Sequence, residues 1–157
     1  MNLLAPELYS VIVENMPIMA IDLVVVDGES MLLGNRINKP AQGFFFVPGG
    51  RIFKSESFVE ALKRVSYNEL GVELTMNQCD FLGLFEHFFN DGPINEDISS
   101  HYIVLAFKID MGLLKINKKQ FENQHSEMIA MDIDEVTSHD NVHKYTKMYA
   151  QILKKNV

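Results

Sequence analysis

A single cysteine stands among the 157 residues, so Cys79 has no partner for an internal disulfide, and the five histidines include no Cys/His spacing of the kind that builds a structural zinc site. Long apolar runs are missing as well. The longest, Ile103 to Phe107 and Phe44 to Pro48, are far too short to cross a bilayer. The opening residues reach Pro6 and Glu7 without a basic leader. These features lead us to expect a soluble cytoplasmic protein with no membrane partner. Net positive charge is also absent: the formal charge is -7, which argues against a dedicated nucleic-acid binder. The most informative gap is local. Between Ser30 and Ser55 there is no Asp or Glu, while Arg36, Lys39, Arg51 and Lys54 fall inside that window. It is either a stretch of solvated basic side chains or a patch kept for an anion.

With 47% apolar and 22% charged residues, the chain is expected to form one domain, residues 1–157, of mixed α/β class. The segment "APELYSVIVENMP" predicts a helix over residues 6–16, opened by Pro6 and stopped by Pro17. "IMAIDLVVVDGESMLLGNRI" reads as two strands joined at "DGES", with Asp22 interrupting the first. A carboxylate there must be paired, or face a polar cleft, or lie on a solvated face. An aromatic strand, "FFFV", is expected to stop at Pro48 and the two glycines. "SESFVEALKRVSYNELG" carries Phe58, Leu62, Val65 and Leu70 at helical spacing, opens on Ser/Glu chemistry and closes on Gly71. "DFLGLFEHFF" and "HYIVLAFKID" read as an antiparallel pair across the polar loop "NDGPINEDISS". A short strand in "NQHSEMIAMDIDEV" and a terminal helix in "NVHKYTKMYAQILKK" complete a mixed sheet with flanking helices.

Gly50, Glu56, Arg64, Glu69, Gly71 and Val72 stand at the spacing of the Nudix box, and residues 50–72 resemble it. Such a box combines a glycine loop, which lets a backbone carbonyl approach a metal, with a helix whose carboxylates at i, i+3 and i+4 share divalent cations. The helix face that carries glutamates throughout the family is here Val65, Asn68 and Glu69. Two charges are gone. The segments "LLGNRINKPAQGFFFVPGGR", "FEHFFND", "HYIVLAF", "NQHSE" and "SHDNVH" occur in that order beside these departures. Together they resemble the GDP-mannose mannosyl hydrolase branch of the Nudix superfamily, from Asp22 to His143.

That resemblance implies hydrolysis of GDP-mannose by water attack on the anomeric carbon, with inversion, releasing GDP and mannose. It implies His125 as the general base, a role that suits a histidine near neutral pH; the same residue read alone could be a loop histidine facing water. One Mg²⁺, replaceable by Mn²⁺, is implied on the carbonyl of Gly49 and the side chains of Glu69 and Gln124, an all-oxygen set. Arg36 and Arg51 are implied on the diphosphate, giving the acid-free window its purpose. Asp22 and His87 are implied around the sugar, and Tyr102 on a phosphate oxygen, although all three lie on predicted strands and could be structural. Arg64 is expected to orient the base or pair with Glu69. Lys39, Lys54 and His143 are expected at the surface. A homodimer is implied, with the first helix and "FEHFFND" as its surfaces. Two other readings remain: a Nudix pyrophosphatase that cuts a nucleotide sugar at phosphorus, and a binding module that holds the nucleotide sugar without turning it over.

Overall fold

A computed structural model describes residues 4–94, 97–114 and 125–155, apart from the side chains of Leu113, His125 and Ser126. Helix α1 (Pro6–Asn15) leads into strand β1 (Ile18–Asp27), which turns through Gly28 and Glu29 into β2 (Ser30–Arg36). Then follow β3 (Phe45–Phe46), β4 (Gly49–Arg51), helix α2 (Phe58–Leu70), β5 (Asp80–Phe89), β6 (Ser100–Asp110), β7 (His125–Asp132), α3 (Ile133–Ser138) and α4 (Lys144–Lys155). The strands form one mixed sheet whose central path runs β3-β2-β1-β6-β5, with β4 added to β1 and β7 to β2. Only β1 and β6 pair in parallel among the described strands. No helix among the described residues is long and apolar enough to cross a membrane.

The period of two along β1 sorts its side chains to the two faces. Ile21, Leu23 and Val25 join Ala61, Leu62, Val65 and Leu70 of α2 in one core. Val24 and Val26 join Val136 of α3 and Tyr149, Ala150 and Leu153 of α4 in the other. Asp22 shares the parity of Val24, so this one acid of the strand interior is committed to the α4 face. The strand is apolar nearly throughout because the sheet is covered on both sides.

Helix α2 is set by its ends. The Ser57 hydroxyl accepts from Glu60 N while the Glu60 carboxylate accepts from Ser57 N, a capping box worth about 1 kcal/mol. Gly71 closes the helix in the left-handed region, at φ 72. Its buried residues, Ala61, Leu62, Val65, Ser66, Glu69 and Leu70, form a stripe at helical spacing. Glu69 thus lies on the packed face of α2 and Asn68 on its exposed side.

The glycine pair corrects one expectation. Gly49 and Gly50 do not merely stop the aromatic strand; they form β4 with Arg51 and pair with Ala20 to Asp22 of β1. The β1–β2 hairpin diverges after Val26↔Met31, leaving that stretch of the β1 edge open for β4. Glycine's low strand propensity is overridden by this vacancy. Gly49 must also be small there, because a Cβ would come within 2.6 Å of both Asp22 Oδ1 and Ile21 O.

Candidate functional site

A cavity of about 540 Å³ opens beside the sheet, with Arg64 and Asn68 of α2 in its lining. Its floor comes from alternate residues of neighbouring strands: Asp22 of β1, Tyr102 of β6, His87 of β5, Arg36 of β2, Phe46 of β3, and Gly49 with Arg51 of β4. Register explains the gathering, since Asp22 is opposite Gly49 and His87 is opposite Tyr102. The cavity therefore brings together Asp22, Arg36, Gly49, Arg51, Arg64, His87 and Tyr102, all singled out from the sequence. Gln124 lies outside the described residues. So does the side chain of His125, whose backbone begins β7 opposite Arg36.

One wall is cationic. The Arg51 guanidinium lies over the Tyr9 ring at 4.0 Å, and Arg36 lies over Phe46 at 5.6 Å while donating from Nε to Pro40 O at 2.9 Å. Flat apolar faces hold both forks in place while leaving donors for an anion. Burial lowers the Arg36 pKa, opposed by the negative charge of Asp22. Burial raises the Tyr102 hydroxyl above the usual tyrosine range, and the neighbouring Tyr9 adds to the rise. Lys39 also lines this cavity, against the expectation of a merely solvated lysine; Lys54 is exposed as expected.

Arg64 finds a partner other than the one expected. Its Nε and Nη2 donate to Glu56 at 2.6 and 2.9 Å, and Nη2 also donates to Arg51 O at 2.8 Å. The guanidinium further stacks on Phe53 at 4.1 Å. It ties α2 to β4, and the backbone of Arg51 to both. The partnership with Glu56 holds that carboxyl below the usual glutamate range.

The opposite wall is a buried polar chain. The Tyr149 hydroxyl donates to Asp22 Oδ2 at 2.8 Å and lies 3.2 Å from His87 Nε2. The His87 ring stacks on Tyr145 at 3.8 Å and 9°, and Tyr145 bonds both the N–H and the carbonyl of Phe88. Burial pushes the Asp22 carboxyl up to about 7, with the Tyr149 bond and Arg36 pulling it down and Glu69 raising it. Burial holds the His87 imidazole down to about 3, so it is neutral at physiological pH. His143 is another correction. It is no surface residue of a helix: it precedes α4 and packs among Phe44, Phe46, Phe89 and Tyr145, with burial lowering it to about 4.

Among the described residues no cluster of three His, Cys, Asp or Glu side chains could hold a metal ion, so a cation at the edge where β4 meets α2 would rely on a backbone carbonyl and a single carboxylate. Pro48 O accepts from Leu23 N and Met19 O accepts from Ile52 N, both at 2.8 Å, so residues 48 and 52 bond to β1 and residues 49 and 51 face the other way. Arg51 O is accordingly taken by Arg64 from α2. The Gly49 carbonyl projects to the same side, and Glu69, 4% exposed, acts electrostatically on both Asp22 and Arg36. Oxygen donors of this kind suit a hard divalent cation. Val65 offers no ligand: it is 1% exposed, and a Cβ on Gly50 would come within 3.1 Å of its Cγ2.

Sequence reading missed Tyr9, Tyr145 and Tyr149. The spacing i, i+4 of the two helix tyrosines was the available signal, since it sets both on one face.

The fold and this cavity define the class. The NUDIX domain family matches residues 16–152, and the chain belongs to that family. A relative in Haloferax volcanii, the low-salt glycan biosynthesis protein Agl8, is 35% identical over 145 residues, covering 92% of this chain and 87% of its own. Among solved structures, a NUDIX hydrolase from Nitrosomonas europaea superposes with a TM-score of 0.69 at 14% identity, over 89% of this chain and 90% of that one. The NUDIX domain of Shewanella oneidensis NrtR, complexed with ADP ribose, gives 0.67 at 14% identity, over 91% and 90%. These structural likenesses establish the fold.

The raised carboxyl of Asp22 has a signed consequence. Its stabilising effect is fully present below the ordinary carboxylate pKa near 3.8 and is lost as pH rises through about 7, because the unfolded chain ionises first. The loss amounts to roughly 4 kcal/mol. Asp22→Asn in metal-free protein is therefore expected to be more stable than the parent at pH well above 7, with the difference vanishing in acid. Denaturation midpoints measured across pH would contradict this if the variant were less stable at alkaline pH.

Proposed function

We propose that this NUDIX protein is a Mg²⁺-dependent hydrolase of GDP-mannose that breaks the bond between the anomeric carbon and the diphosphate oxygen, giving GDP and mannose. The observation that carries the reading is Val65. Where a catalyst of attack on phosphorus needs carboxylates beside the glycine strand, this helix turns a valine into the core and presents an uncharged asparagine to the cavity. The resemblance to mannosyl hydrolases from Asp22 to His143 supports the same conclusion, as does a relative whose name assigns it to glycan biosynthesis.

Arg36 and Arg51 bind the diphosphate, with Tyr102 beside them. A guanidinium pair there neutralises the charge that builds on the departing oxygen, which is weakly basic and needs no separate acid. Asp22 and His87, on the other wall, hold the sugar. His125 takes a proton from water as the new carbon–oxygen bond forms on the far face, and the electron pair of the old bond leaves with GDP. The anomeric centre inverts. Arg64 acts through Arg51 and Glu56 and keeps β4 in register with α2. Mg²⁺, held by the Gly49 carbonyl, Glu69 and Gln124, would supply further positive charge to the diphosphate. A cytoplasmic location fits the single cysteine.

Incubation with GDP-mannose and Mg²⁺ is expected to yield GDP and mannose, and His125→Gln to slow this by roughly 10² to 10⁴ with little change in KM. GMP with mannose 1-phosphate would mean a pyrophosphatase. Tight binding without products would mean a binding module. With one carboxylate left on the α2 face, titration of the substrate complex should count one Mg²⁺ per site, and Glu69→Gln should weaken both metal binding and rate. Two or three tightly held ions would contradict the ligand set.

The protein is proposed to work as a homodimer. Leu8 and Val11 of α1, and Phe81, Leu84 and Phe88 of the edge strand β5, leave large apolar side chains exposed, which a partner copy would cover. Sedimentation at micromolar concentration should find the dimer. A fully active monomer would overturn it.

A further inference from the structure

Tyr149 is wholly buried, lies outside the cavity lining, and yet touches two residues that line it. A tyrosine hydroxyl carries one proton and accepts through its lone pairs. In a dry interior such a hydroxyl is paired, and two lone pairs that face each other at hydrogen-bond distance repel. Here the hydroxyl has two neighbours, Asp22 Oδ2 at 2.8 Å and His87 Nε2 at 3.2 Å. The shorter contact is the one through which the hydroxyl donates, so its proton goes to Asp22 Oδ2. The oxygen is then left to accept, and a hydrogen on Nε2 of His87 is the donor available to it. In a neutral imidazole that choice leaves Nδ1 bare.

We infer that Tyr149 is a positioning residue that fixes His87 as its Nε2–H tautomer, so that the histidine meets substrate as a hydrogen-bond acceptor. Burial, which keeps the ring uncharged, supports this. So does the aromatic box of Tyr145, Phe46 and Phe89, which restrains ring rotation. The consequence is a rule of specificity. Whatever binds the free nitrogen of His87 must bring a donor, and a sugar hydroxyl is such a group where an ether or carbonyl oxygen is not. Tyr149 also holds one Asp22 oxygen away from the cavity and leaves the other beside Gly49. The hydroxyl thereby orients two walls of the site from beneath. This inference rests on the hydrolase reading for the sugar as ligand, while the tautomer itself does not depend on it.

The experiment is ¹⁵N NMR of the histidine rings in the 157-residue chain, recorded from neutral to alkaline pH, with His87 assigned by its loss in His87→Gln. The parent should show a protonated Nε2 and a bare Nδ1. Tyr149→Phe keeps the ring and removes the hydroxyl; it should release His87 into a mixture of tautomers and lower kcat by roughly tenfold at nearly constant KM for GDP-mannose. Tyr145→Phe, which keeps the stacked ring, should leave the tautomer as in the parent. A protonated Nδ1 in the parent would overturn the inference, and that measurement stands even if Tyr149→Phe fails to fold. An unchanged tautomer in Tyr149→Phe, or an equal change in Tyr145→Phe, would also overturn it. Failure of the hydrolase reading would show separately, in the products made by the parent protein.

Discussion

The hydrogen bond from Tyr149 to Asp22 is the contact on which the site depends. A carboxylate in the middle of a strand covered on both faces carries a large desolvation cost, and few arrangements make it tolerable. Here the last helix supplies the answer from 127 residues further along the chain. Because β1 alternates, its acid faces α4, and because α4 carries Tyr145 and Tyr149 on one face, the helix that covers the core also reaches Asp22 and His87. Packing and polarity are coupled at this point. The terminal helix is therefore part of the site rather than a cover for the sheet.

A second constraint governs the other wall. Strand β4 exists because β1 and β2 separate, and it is held from outside by the Arg64–Glu56 pair, which also captures Arg51 O. This tie fixes the backbone of Arg51, whose guanidinium lies over Tyr9. Cationic groups collect near β2 and β4, and the buried acid and neutral histidine collect near β1 and β5. A substrate with a highly charged half and a hydroxyl-rich half matches that division. Val65 places hydrocarbon, not charge, against Gly50.

Much of this was legible because it is written locally. The capping residues Ser57 and Glu60, the stripe through Leu62, Val65 and Leu70, and Gly71 specify α2 within a single segment. The turn at Gly28 and the apolar runs beside it specify the hairpin. The charge gap from Ser30 to Ser55 pointed to Arg36 and Arg51, and the cavity gathers both. What failed to show is non-local. Two glycines have no strand propensity to announce β4, which is created by an edge left open elsewhere. Arg64 could reach either of two glutamates, and only the placement of β4 selects Glu56. His143 looked like a helix residue because its segment is helical, but it stops just short of α4 and turns into an aromatic cluster. Tyr149 reads as an ordinary core aromatic, since its partners lie on β1 and β5. His125 is the reverse case: resemblance gives it a role, while the described residues fix only its backbone position opposite Arg36.

The central claim is that water attacks carbon, and the most direct measurement follows the oxygen of that water. Hydrolysis of GDP-mannose in oxygen-18 water should put the label in mannose and none in GDP, with the β anomer formed first. Label in the nucleotide product would place the attack at phosphorus and contradict the account.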